Sequence, residues 1–275
     1  MNNRQLLIDF EQKLIDEEKS SATVEKYLRD VRCFFAFLNE KEITKENVRE
    51  YKSMLIKKYA PASTNSMLTA LNVFLKFAGY YECQVKLLKI QKQIFINEEK
   101  ELTKAEYQRL LQAAGGGRLS LIMQTICATG IRVSELEYIT VEAVKRGKGI
   151  VDCKNKIRYI FIPKILQRKL KDYIHKKKIK SGSVFLTKSG KVLNRSNIWR
   201  DMKQLCKKAN VSPEKVFPHN LRHLFARTFY MVEKDIVKLA DLLGHSSVNT
   251  TRIYMMESGK NHQNRIEKVE KVLST

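Results

Sequence analysis

Apolar residues in this chain recur at i, i+3, i+4 and i+7 spacing, a rhythm that few arrangements other than packed amphipathic helices accommodate. Residues 23–39 show it most fully. Val24, Tyr27, Leu28, Val31, Phe34, Phe35 and Leu38 fall on one face there. Residues 45–58 and 64–78 read the same way, with Met67, Leu68, Leu71 and Phe74 marking the inner side of the second stretch. Together with residues 3–18 they predict a compact helical bundle ending near Gly79. Only 4 prolines interrupt the 275 residues, and a hydrophobic fraction of 43% is ample for packed cores.

The pattern then changes. Residues 84–101 are Lys, Gln and Glu with a few aliphatics and read as a linker. Thr103-Lys-Ala-Glu106 is a capping box, with Leu102 and Tyr107 placed as a hydrophobic staple, so a new helix starts there. The expected organisation is a helical domain over 1–83, a linker over 84–101 and a second domain over 102–275. In the second domain, 118–129 reads as a buried helix closed by Gly130. Residues 149–152 and 158–162 read as two short strands around Lys154-Asn-Lys156. Pro163 ends the second strand and opens a helix over 164–178. Residues 183–186 are a candidate third strand, and helices are expected over 195–209, 219–230, 234–242, 247–257 and 262–273. The fold class predicted is mainly α with a small β-sheet, an α+β chain.

Charge narrows the partners. The formal net charge is +23, unevenly spread: residues 1–100 hold 17 Lys and Arg against 14 Asp and Glu, residues 101–275 hold 35 against 15. Residues 145–215 alone hold 22 against 4. A polyanion is the natural partner, nucleic acid before an anionic membrane. No apolar run approaches the roughly 20 residues that cross a bilayer, and acids occupy the stretch where a signal peptide would be apolar. The five cysteines (Cys33, Cys83, Cys127, Cys153, Cys206) form no CxxC, which suggests reduced thiols in a cytoplasmic protein rather than a zinc or disulfide framework.

Cleaving DNA requires a nucleophile, neutralisation of the phosphate as charge builds, and an acid for the leaving oxygen. Metal-dependent nucleases draw the neutralisation from an ion held by clustered carboxylates. The basic half of this chain offers no such cluster, so arginines must serve, and the planar guanidinium suits phosphate geometry. Three segments carry the chemistry: Ala128-Thr-Gly-Ile-Arg-Val-Ser-Glu-Leu136, Pro218-His-Asn-Leu-Arg-His-Leu-Phe-Ala226 and Leu242-Leu-Gly-His-Ser-Ser-Val-Asn-Thr-Thr-Arg-Ile-Tyr254. In this order the three segments resemble the tyrosine recombinases of the phage integrase family, including the Xer-type resolvases. The resemblance is specific over 128–136 and 218–254 and architectural over 1–100.

The resemblance implies a helical, SAM-like core-binding domain followed by a catalytic domain, the two closing on double-stranded DNA. Arg132 and Arg222 would grip the scissile phosphate. His219, one turn before Arg222, would act as general base or donor, and His245 would hydrogen-bond a phosphate oxygen. Glu135 would orient Arg132. Tyr254 would attack phosphorus, form a 3′-phosphotyrosine and release a 5′-hydroxyl, with no metal, cofactor or ATP. The hairpin Val151-Asp-Cys-Lys-Asn-Lys-Ile-Arg158 is one residue shorter than the family's usual pattern. Lys154 is favoured as the acid over Lys156, while strict matching backward from Arg158 lands on Cys153. Four protomers, identical or paired with a related recombinase, would exchange strands through a Holliday junction, coupled by the helix at 262–273. Lys26, Arg29 and Arg32 are candidates to face DNA from the first domain.

Taken singly, each residue has a plainer reading. Arg132 follows a helix C-terminus and could neutralise its carbonyls. His219 could cap a helix after Pro218. His223 and His245 could be satisfied core histidines, the reading kept for His223. Tyr254 is one of 11 tyrosines. Two other readings remain: a type IB topoisomerase, which shares the chemistry but relaxes supercoils without synapsis, and a non-catalytic DNA-binding regulator on the same fold, against which the intact set Arg132, Lys154, His219, Arg222, His245 and Tyr254 argues.

Overall fold

A computed structural model describes residues 3–90, 98–153, 156–187, 189–245, 247–255, 267, 269 and 270. The chain divides into two units, Met1–Lys92 and Gln93–Thr275.

In the first unit, α1 (Asn3–Asp16), α2 (Ser21–Leu38), α3 (Lys45–Lys58) and α4 (Pro61–Phe77) enclose one core. The face expected of residues 23–39 is the buried one: Val24, Leu28, Val31, Phe34 and Leu38 are all buried. Aromatic edges close the centre, with Phe10 and Phe74 at 5.3 Å and an interplanar angle of 82°. Thr44 caps α3 by accepting the Asn47 amide, and Pro61 opens α4 in the first turn, where no amide is needed. Lys26 is already engaged within the bundle. It pairs with the buried Asp30 at 2.6 Å and donates to the Ser66 carbonyl, whereas Arg29 and Arg32 are exposed.

The first part of the expected linker lies along this bundle. Two asparagines of α4, a little under two turns apart, clasp its backbone on both edges. Asn72 donates to the Val85 carbonyl at 2.8 Å and accepts the Val85 amide at 3.0 Å. Asn65 does the same for Leu88, at 2.9 and 2.7 Å. Val85 is buried in the core as a result.

In the second unit, α5 (Lys104–Ala114) begins with the predicted capping box. There Glu106 accepts the Thr103 amide at 2.8 Å and Thr103 accepts the Glu106 amide. The helix α6 (Arg118–Thr129) ends at Gly130 in the left-handed conformation. A 3₁₀ turn over Val133–Tyr138 and α7 (Val141–Arg146) lead into β1 (Lys148–Cys153) and β2 (Lys156–Phe161). These strands pair antiparallel, with Val151 opposite Arg158 and Gly149 opposite Ile160. Alternation puts Val151, Arg158 and Ile160 on the inner face and leaves Ile150, Ile157 and Tyr159 outside.

The chain continues through α8 (Lys164–Lys176), α9 (Arg195–Ala209), α10 (Pro218–Glu233), α11 (Ile236–Leu243) and α12 (Val248–Thr251), then a 3₁₀ turn over Arg252–Met255. Residues 183–186 make isolated bridges, Ser183 with Thr140 and Leu186 with Val192, rather than a third strand. Their partners are single residues leading into α7 and a tight turn, so no ladder can propagate. The helix expected over 262–273 falls mostly outside the described residues. No described helix is long and apolar enough to cross a membrane.

Candidate active site

The site is organised around two helix C-termini. Gly130 terminates α6 and Gly244 terminates α11, both with positive φ. The last carbonyls of a helix point outward unsatisfied and carry partial negative charge. Arginines fill that role at both ends. Arg222, on α10, is 1% exposed. Its Nη1 donates to the Gly130 carbonyl at 2.6 Å, and its Nη2 donates to the Leu243 carbonyl at 2.7 Å. Arg158, reaching in from β2, donates to the Leu242 carbonyl at 2.7 Å. A buried guanidinium is tolerable here because its charge sits between two dipole ends and its donors are satisfied. Burial first, and the nearby Arg132 cation second, pull the Arg222 pKa down to about 10, so it remains a cation at neutral pH.

Glu135 joins the next pair. Its carboxylate is 1% exposed. Oε1 accepts Arg132 Nη1 at 2.9 Å, the pair expected from the sequence, and Oε2 accepts the Arg132 backbone amide at 2.7 Å. Oε2 also accepts Arg158 Nη2 at 2.5 Å. One carboxylate therefore fixes both the arginine that opens the 3₁₀ turn and the arginine of the hairpin. The Arg132 side chain keeps 44% exposure, leaving its guanidinium open to a ligand.

His245 follows Gly244. Its Nε2 lies 3.0 Å from Arg222 Nη2 and its Nδ1 lies 2.8 Å from Thr251 Oγ1. A guanidinium only donates, so Nε2 must be the acceptor and the proton sits on Nδ1. His245 is thus a neutral imidazole with both nitrogens engaged. Burial, then Arg222, Arg132 and Arg158, hold its pKa down to about 4. His219, at the start of α10, is likewise depressed to about 4, by loss of hydration first and then by His223 and the two arginines. Water still reaches His219, so the shift weighs less there than at His245.

Tyr254 is 4% exposed, carried on the final 3₁₀ turn. Its ring stacks on His245 at 6.1 Å and meets the edge of His223 at 4.7 Å. Its proximity raises the Arg222 pKa against burial. Arg132, His219, Arg222, His245 and Tyr254 therefore converge in one place. Lys154 lies outside the described residues, as does the choice between it and Lys156, whose side chain is not described. Three contributors went unread in the sequence. Arg158 had a signal, since strand alternation puts it on the inner face with Val151. Thr251 and the contacts of His223 had none.

Residues 100–260 match the Phage integrase family, and residues 7–79 match the phage integrase N-terminal SAM-like domain. The chain belongs to the phage integrase family. Tyrosine recombinase XerA of Pyrococcus furiosus is 30% identical, over 96% of this chain and 93% of its own. Tyrosine recombinase XerD of Halalkalibacterium halodurans is 27% identical, over 92% of each. Among solved structures, an XerA recombinase matches 97% of this chain and 98% of its own, at 26% identity and a TM-score of 0.54. A lambda integrase dimer bound to a core site superposes over 94% of this chain and 97% of its own, with a TM-score of 0.75 at 20% identity. That second likeness is one of fold. The integrase fold accounts for both units, a helical N-terminal domain and a mainly helical catalytic domain with a small sheet, and the chain is a site-specific tyrosine recombinase that cuts and rejoins DNA.

Proposed function

We propose that Arg132 and Arg222 grip one phosphate of double-stranded DNA and that Tyr254 attacks its phosphorus. The phenol oxygen forms a bond to phosphorus as the bond to the 5′-oxygen breaks, leaving a 3′-phosphotyrosine. His219 is neutral at working pH and takes the phenol proton. Lys154, with Lys156 as the alternative, returns a proton to the leaving 5′-oxygen. His245 holds Arg222 in place through Nε2. It gains a bond to a phosphate oxygen only by giving up one of its present partners. The observation that carries this reading is the convergence of Arg222, His245 and Tyr254 behind an Arg132 that remains open.

Charge neutralisation by two guanidinium groups leaves no step that calls for a metal ion, and the phosphotyrosine stores the energy that resealing needs, so no ATP is required. Four protomers, of one kind or paired with a related recombinase, exchange strands between two duplexes through a Holliday junction. A lambda integrase tetramer bound to such a junction shares this fold at 19% identity. The cytoplasm, where chromosomal and mobile DNA are accessible, is the proposed place of action.

The test is a covalent adduct on genomic DNA in EDTA without nucleotide. Wild type is expected to form it and Tyr254→Phe to lose it entirely. Persistence of the adduct in Tyr254→Phe defeats the assignment. Plasmid relaxation without strand exchange would point instead to a topoisomerase. A substrate with sulfur in place of the leaving oxygen, which leaves without a proton, should rescue Lys154→Ala. Rescue of Lys156→Ala instead moves the acid to Lys156.

A further inference from the structure

Beside the phosphate-facing groups lies a partly buried carboxylate–imidazole pair that the reaction above does not use. Glu101 stands just before the first helix of the second unit, and His223 directly follows Arg222 on α10. His223 Nδ1 lies 3.5 Å from Glu101 Oε1, with side-chain exposures of 16% and 13%. Arg227, one turn further along α10, approaches the other carboxylate oxygen at 3.1 Å and donates to the Leu102 carbonyl at 2.7 Å. Burial pushes the Glu101 carboxyl up, but the His223 hydrogen bond and the Arg227 charge outweigh it and hold the group below the usual carboxylate range.

The same imidazole meets both partners of the proposed proton transfer. His219 packs on it at 4.5 Å, tilted 64°, and the Tyr254 ring meets it edge-on at 4.7 Å and 88°. His223 thus packs against both the proposed base and the proposed nucleophile. An imidazole so placed can flip or slide unless one nitrogen is tied. Glu101 supplies that tie. The second nitrogen, Nε2, is buried and finds no hydrogen-bond partner among the described residues. Buried polar nitrogens without partners are rare. A ring placed only for packing would do better as Phe or Leu.

We propose that Glu101 and His223 form a positioning dyad in which the carboxylate anchors the imidazole and the imidazole seats Tyr254 against His245 with His219 packed on the same ring. The dyad touches neither phosphate nor leaving group. The proposal rests on Tyr254 being the nucleophile, but the seating itself exists without DNA.

Two arms test it on the full-length protein. In the first, free protein is treated with tetranitromethane and nitration is mapped by peptide mass. Tyr254 is shielded in wild type; in Glu101→Leu and His223→Ala it should react about tenfold faster, while Tyr107 in the same unit keeps its wild-type rate. Glu101→Gln keeps an acceptor oxygen and should restore shielding. In the second arm, single-turnover adduct formation and duplex binding are measured on the genomic fragment to which wild type becomes linked. Glu101→Leu and His223→Phe should each slow adduct formation about tenfold at unchanged affinity. The double variant should be no slower than the worse single, because Glu101 acts only through His223. Unchanged Tyr254 nitration in both first-arm variants overturns the dyad, and so do single effects that multiply in the double variant. If wild type forms no Tyr254-linked adduct, the nucleophile assignment fails, and the nitration arm still decides whether the dyad seats the ring.

Discussion

Glu135 restrains two guanidinium groups with one carboxylate, and they depend on it unequally. Arg132 is half open to water, so its share of the pairing is screened. Arg158 is 11% exposed and would be left with a single carbonyl partner. Removing one member of a buried pair strands the other charge. Glu135→Ala should therefore destabilise the second unit by about 3 kcal/mol, read as a lower urea midpoint, with Glu135→Gln losing less. Arg222→Lys tests a different property of the site. An ammonium is a compact point charge without the guanidinium's planar fork, so it cannot hold Gly130, Leu243 and His245 in their present geometry. Adduct formation should drop on the order of 100-fold or more while duplex binding persists.

The histidines set the pH behaviour of the same site. His219 and His245 have folded pKa values of about 4, below the ordinary 6.5. Between those values the unfolded chain binds more protons, so stability falls as pH drops from 6.5 towards 4 and the loss levels off below that. Above 6.5 both histidines contribute no slope. His245→Asn removes one proton from this linkage. Urea midpoints from pH 4 to 7.5 should show a shallower acid decline for that variant than for wild type. An equally steep decline would mean that His245 is not held neutral.

At the scale of elements, the left-handed glycines place the arginines. A Cβ at Gly244 would lie 2.5 Å from Arg158 Cδ, and φ is +64°. Gly190 has a similar φ of +76° but open space around it. Gly190→Ala should cost about 1 kcal/mol, the backbone penalty alone. Gly244→Ala should cost about 2–4 kcal/mol, because overpacking adds to it, and should also slow adduct formation by displacing Arg158 from Glu135. Equal effects at the two positions would show that the Arg158 contact is unimportant. Boundaries were legible in the sequence where a cap was read: Thr103 and Gly130 both mark observed boundaries. The strand over 183–186 was not, because SVFL has the right composition and strand pairing depends on a distant partner. The site divides the same way. Arg132, Glu135 and Arg222 stand in recognisable local segments. The links from Glu101 to His223 and from Arg158 to Leu242 join residues far apart in the chain, and no local spacing announces them.

The whole molecule carries net +23, most of it beyond residue 100. Only a few of those charges stand in the active site, Arg132, Arg158 and Arg222 among them. Other cations also have internal partners, Arg227 at Glu101, Lys215 at Glu106 and Arg118 at the Leu186 carbonyl, and the exposed remainder is available to displace counterions from duplex DNA. If about six phosphates are neutralised, log affinity should fall with log salt at a slope near −5, about a thousandfold loss between 50 and 200 mM. Tyr254→Phe should keep that slope while abolishing the adduct, because it removes the nucleophilic oxygen and leaves every lysine and arginine in place. Neutralising the exposed Arg29 and Arg32 together tests whether α2 shares the footprint, since every phosphate that goes without its cation makes the slope shallower by about one. Lys26→Gln serves as the contrast. Its ammonium is spent on Asp30 and Ser66, so it should lower stability and leave the slope alone. A wild-type slope close to zero would make the positive charge a solvated surface and leave DNA affinity to be explained by something other than electrostatics.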